Sequence, residues 1–160
     1  MVRFIVGIAV VVFTTFCGRF LAKKYTIRKA FFQEAESFNE GFLEELGYTK
    51  RPFEEYCLKR AYKGEFGQML HEELNRRAKR KSTLSLDGYS FLNAEERAFF
   101  SEYFCAFGRG DAQSQKSYFS QAKNRLQSLK IKAEEECKRN VELFTKMGFL
   151  LGLALLIIII

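Results

Sequence analysis

The chain has 160 residues, 48% of them hydrophobic, and a formal net charge of +7. That length allows one compact domain once the ends are set aside, and a single proline, Pro52, with no Gly/Ser/Pro-rich tract leaves no linker to a second. Residues 23–146 hold 24 Lys and Arg against 19 Asp and Glu, a net of +5, with the signs largely alternating, which argues against a nucleic-acid-binding face.

The first element lies at the N-terminus. Residues 4–18, FIVGIAVVVFTTFCG, carry no charge, are bounded by Arg3 and Arg19, and are followed by Phe20, Leu21 and Ala22. As a helix, residues 4–22 are about 28 Å long, close to the ~30 Å hydrocarbon core of a bilayer, and Arg19 can snorkel. A cleaved secretory signal is the competing reading. The stretch ends in Phe16, Cys17, Gly18, Arg19 and Phe20, without the small residues of a cleavage site, so an uncleaved anchor over residues 1–22 is expected.

From Phe31 the apolar positions Phe31, Ala35, Phe38, Phe42 and Leu46 fall at spacings of three and four, which predicts one helical stripe continuous with the anchor and ending at Gly47. Pro52 suits the first position of the next helix, which carries Phe53, Tyr56, Cys57 and Arg60. Gly64 and Gly67 read as punctuation before a helix with Phe66, Met69, Leu70 and Leu74. Its end carries the basic run Arg76, Arg77, Arg80 and Lys81 around Lys79. A solvated helix end is the first reading of this run, and a patch for an anionic partner or lipid surface the second.

Asp87-Gly88 marks a turn within 81–91. Asn93 with Glu96 three residues on is a capping box, and Phe99, Phe100, Tyr103, Phe104 and Phe107 follow. Gly108 to Asp111 stops that helix and caps the last one, in which Phe119, Ala122, Leu126, Leu129, Ala133, Cys137, Val141 and Phe144 hold helical spacing into the tail. The tail, residues 147–160, has no polar side chain, and its ~21 Å is short of a bilayer core but too apolar to hide in a domain this small. Gly148 and Gly152 form a G-x-x-x-G through which another membrane helix can approach closely.

The expected architecture is therefore all-α. It comprises an N-terminal transmembrane helix (1–22), a cytoplasmic helical domain (23–146) and a C-terminal transmembrane segment (147–160), with about five to six helices in the bundle. Two long helices form an antiparallel stalk under shorter ones. Arg19, Lys23, Lys24, Arg28 and Lys29 beside the first segment, and Lys130, Lys132, Lys138, Arg139 and Lys146 beside the second, place the domain in the cytoplasm.

Chemistry is not legible. Cys17, Cys57, Cys105 and Cys137 are far apart, His71 is the one histidine, and no Cys/His pair has metal-ligand spacing. Glu72-Glu73 and Glu134-Glu135-Glu136 are successive residues on different helix faces and read as solvated. Gly108-Arg109-Gly110 lacks the further residues of a phosphate loop. No catalytic residue, cofactor, metal or small-molecule substrate is expected.

The order of a short anchor, a helical domain, a G-x-x-D break at Gly108 and Asp111, Gln115 on the next turn, and a terminal run of Gly148, Phe149, Leu150, Gly152 and Leu153 resembles stage III sporulation protein AB of endospore-forming bacteria. The resemblance is strongest from Leu92 onward and weak over 50–90. It implies a non-enzymatic subunit of a secretion-like channel complex between mother cell and forespore, in the mother-cell membrane around the forespore. The fold would be similar to the cytoplasmic domains of the type II secretion platform protein, and the partners would be a cytoplasmic ATPase and the other membrane subunits. Gly108, Asp111 and Gln115 are its candidate contact residues. A membrane-anchored helical sensor is the alternative, and a small membrane-active toxin would not need so large a bundle.

Overall fold

Nothing between Ala22 and Ala30 disfavours a helix, and α1 runs unbroken over Val2–Tyr48. The computed structural model describes residues 2–48, 53–59, 62–79 and 86–159. After α1 come α2 (Phe53–Lys59), α3 (Gly64–Ala78), α4 (Ala94–Ala106) and α5 (Ala112–Ile159), with no strand among the described residues. At 47 and 48 residues, α1 and α5 are each about 70 Å long. They pair antiparallel along their length and form the expected stalk.

The end of α1 falls one residue beyond Gly47, within the usual fraying of a helix terminus. Pro52, Arg60, Arg80 and Lys81 lie outside the described residues. Gly67 does not punctuate. It sits in the first turn of α3, where a Cβ would lie 2.2 Å from the Tyr62 carbonyl oxygen, so the missing side chain lets the preceding segment fold back on the helix. Gly64, in contrast, opens α3.

The phenylalanine stripes are core. Phe31, Phe32, Phe38 and Phe42 of α1 are fully buried against Phe66 of α3, Phe100 and Phe104 of α4 and Phe119 of α5. Rings meet mainly edge to face, as in Phe31–Phe100 (5.0 Å) and Phe42–Phe119 (5.0 Å), the geometry favoured by the ring quadrupole. One buried amide ties three helices together within this core. Asn39 donates to the Phe119 carbonyl (3.1 Å) and accepts from the Tyr103 hydroxyl (3.0 Å). Burial holds that phenol far above its ordinary pKa, so it stays a donor.

Helix α4 begins as its sequence requires. The Asn93 side chain accepts from the Glu96 amide (2.8 Å), and Glu96 accepts from the Asn93 amide (3.0 Å). Asn93→Ala should cost about 1 kcal/mol in denaturant unfolding of the full chain. A loss of only a few tenths would mean that ring burial alone holds α4 in place.

The two ends of the chain form an apolar hairpin. Both long helices have stretches long and apolar enough to cross a membrane, and only 17% and 11% of those stretches are buried within the chain. Phe13, Phe16, Phe20 and Ile157 are each about two-thirds or more exposed, unlike the faces of a core helix.

Candidate functional site

In the hairpin, Gly148 and Gly152 face the chain's own N-terminal helix. A Cβ on Gly148 would lie 2.6 Å from the Thr14 carbonyl oxygen, and one on Gly152 would lie 2.8 Å from Val11 Cα. The opposite helix has the same device: a Cβ on Gly18 would lie 2.4 Å from the Phe144 carbonyl oxygen and 3.5 Å from Gly148 Cα. Thr14 and Thr15 turn their hydroxyls onto carbonyls of their own helix, so neither leaves a polar group bare at the seam. The stripe Gly7, Val11, Thr14, Gly18, at spacings of four, three and four, was readable in the sequence. What it faces was not.

At the base of the domain, Arg28 of α1 joins three helices. Its guanidinium donates to Glu96 of α4 (2.5 Å) and to Glu136 of α5, and it lies 5.5 Å from the centre of the Phe32 ring. Glu96 is 3% exposed and Arg28 14%. The reading of Glu134-Glu135-Glu136 as a solvated run is therefore corrected at Glu136. Carboxylates on successive faces can point anywhere until a partner helix supplies a cation.

A second charged cluster corrects the reading of Glu72-Glu73. Glu73 is wholly buried and accepts from Arg76 Nε and Nη2 (2.6 Å each) and from Arg77 Nε (2.7 Å). The bond to Glu73 raises the pKa of Arg76 further. Arg77 also donates to the carbonyls of Phe104 (2.7 Å) and Phe107 (3.3 Å), which satisfies the open end of α4, and it stacks over Phe53 at 4.7 Å. Two members of the basic run are thus anchored in the domain, while Arg80 and Lys81 lie outside the described residues.

The same guanidinium lies beside the G-x-x-D break. Gly108 and Gly110 both take positive φ (77° and 76°), where a side chain would strain the backbone, and a Cβ on Gly108 would stand 4.0 Å from Arg77 Nη1. Asp111 caps α5 by accepting from the Ser114 amide (3.0 Å). Bonding to Ser114 holds its carboxyl below the ordinary range, so the cap is charged at neutral pH. Gln115 closes the first helical bond of α5, from its amide to the Asp111 carbonyl (3.0 Å), and its side chain is half-exposed. Arg77, Gly108, Asp111 and Gln115 therefore share the end of the domain remote from the hairpin.

Among the described residues no group of three His, Cys, Asp or Glu side chains could hold a metal ion. His71 borders a surface recess with Gln68 and Glu72. Cys57 is buried and its thiol is pushed up to about 12, first by desolvation and then by Glu54, whereas Cys105 is exposed. A maleimide at pH 8 should label Cys105 at once and Cys57 only after denaturation, as mass mapping would show. Folded and unfolded chains alike keep the Cys57 proton well below pH 9. Between about 9 and 12 the unfolded chain loses it first, so this group's stabilisation falls across that window.

Comparison with known proteins adds one finding. A family model described as stage III sporulation protein AB matches residues 3–160. No curated protein and no solved structure matches the chain.

Proposed function

The chain belongs to the stage III sporulation protein AB family, and from that membership we propose that it is a platform subunit of a secretion-like channel complex between mother cell and forespore. Its hairpin crosses the mother-cell membrane around the forespore, its helical domain faces the cytoplasm, and it carries out no chemistry of its own. The domain docks a cytoplasmic ATPase, and the hairpin packs with the other membrane subunits and lipid. The supporting observation is the continuity of α1 and α5 from the apolar hairpin into the packed domain, with no break at which the two could move independently. A force or a docking event at the domain would reach the bilayer through two rigid rods. The remote end, with Arg77, Asp111 and Gln115, is the docking face in this reading.

Solubilised protein captured from sporulating cells tests the proposal. Recovery of an ATPase with further channel subunits supports it. Recovery of a kinase would favour a membrane-anchored sensor and overturn it, as would recovery of no ATPase after crosslinking. A reporter fused at Ile160 should be active only outside the cytoplasm.

A further inference from the structure

Above the hairpin, α1 and α5 part on one side and leave a groove of about 570 Å³, a volume in the range of small-ligand sites. Thr26 and Lys29 of α1 and Lys138, Thr145 and Lys146 of α5 line it. Its two carboxylates are already engaged: Glu134 accepts from Gln33 (2.7 Å), and Glu142 pairs with Lys146 (2.5 Å). Lys29 and Lys138 form no ion pair among the described residues, although Lys138 lies near enough to Glu142 to lower the pKa of its carboxyl, and three ammonium groups against two carboxylates leave the groove a net charge of +1.

Its height selects the occupant. Thr26 lies beside Cys137, which sets Lys138 about 5 Å beyond the level of Ala22, where the apolar run of α1 ends, and Lys29 stands seven residues, about 10 Å, beyond it. The headgroup layer adds roughly 5–8 Å to each side of the hydrocarbon core, so Lys138 lies within it and Lys29 just past it. Side chains on α1 tilt toward its N-terminus, hence toward the hairpin. Val141 lines the groove between the charged residues and supplies an apolar wall at the level where acyl chains begin.

We propose that this groove holds the phosphate headgroup of an anionic phospholipid, with Lys29 and Lys138 pairing with the phosphate. Cationic pockets between helices at the cytoplasmic surface bind such headgroups through contacts that bulk zwitterionic lipid cannot replace. The site rests on the hairpin crossing a membrane with the domain on the cytoplasmic side, as proposed above.

The full chain, delipidated in mild detergent and placed in nanodiscs of phosphatidylcholine with a rising share of phosphatidylglycerol, provides the test. Incorporation into nanodiscs is scored first; failure there would overturn the membrane reading, separately from the lipid site. Native mass spectrometry then counts retained lipid. The wild type should keep phosphatidylglycerol in preference to phosphatidylcholine, and Lys29→Gln with Lys138→Gln should weaken that retention about 30-fold. Lys116→Gln with Lys132→Gln, the same charge change outside the groove, should leave it unaltered. Equal retention by both double variants, or by phosphatidylcholine, overturns the proposal, as does displacement by millimolar inorganic phosphate, which would identify a free anion as the occupant. Circular dichroism of each variant confirms the fold.

Discussion

Replacing Gly148 by leucine should drive the two ends of the chain apart while leaving the helical domain folded. A Cβ at that position would stand 2.6 Å from a backbone oxygen of Thr14 and 3.2 Å from Thr15 Cα, and neither atom can swing aside as a flexible side chain would. The penalty belongs to the upper end of the overpacking range, about 3 kcal/mol, and the two backbones can no longer approach closely enough to pack. Gly18→Leu, which meets the Phe144 carbonyl from the other side, should do the same. Leu150→Ala, at a side chain 63% exposed, should not. Spin labels at positions 8 and 157, both on exposed faces of the hairpin, report the separation directly. A narrow distance distribution unchanged in Gly148→Leu would show that the seam is not held by close approach of the two backbones.

The second large effect is expected at Arg28. Arg28→Ala leaves Glu96, almost wholly buried, and Glu136 without their shared cation, and an abandoned charge of this kind costs about 3–5 kcal/mol. Apolar groups cost less there than an unpaired charge. The triple change Arg28→Met, Glu96→Gln, Glu136→Leu should therefore recover most of the loss in guanidinium unfolding of the full chain in detergent. A double-mutant cycle between Arg28→Ala and Glu136→Ala isolates the pair, and a coupling below about 0.5 kcal/mol would mean that water already compensates these charges. Because Arg28 joins α1, α4 and α5 just above the hairpin, its loss should loosen the base of the domain before the ring-packed core.

Much of the architecture was legible because it is written in period and punctuation. Spacings of three and four ran from the anchor into the domain and from the domain into the tail. The phenylalanines fell where α1, α4 and α5 bury them, and the capping box at Asn93 needed only local geometry. The charged groups were less legible. Glu73 and Glu136 have neighbours in sequence that are solvated, and nothing in spacing alone separates a carboxylate that meets a guanidinium from one that meets water. The basic run misled in the same way, since Arg77 is committed to Glu73 and to the end of α4.

By itself, then, the order of residues determined an all-helical chain with apolar ends, a rigid stalk and a ring-rich core, because these follow from the 3.6-residue repeat and the cost of exposing hydrocarbon. Only the tertiary structure decided which backbone Gly148 and Gly152 admit, which carboxylates are buried, and that Lys29 and Lys138 face one groove from residues more than a hundred apart. Those are matters of distance across the stalk, and register between two helices is set by the packing of all their side chains together.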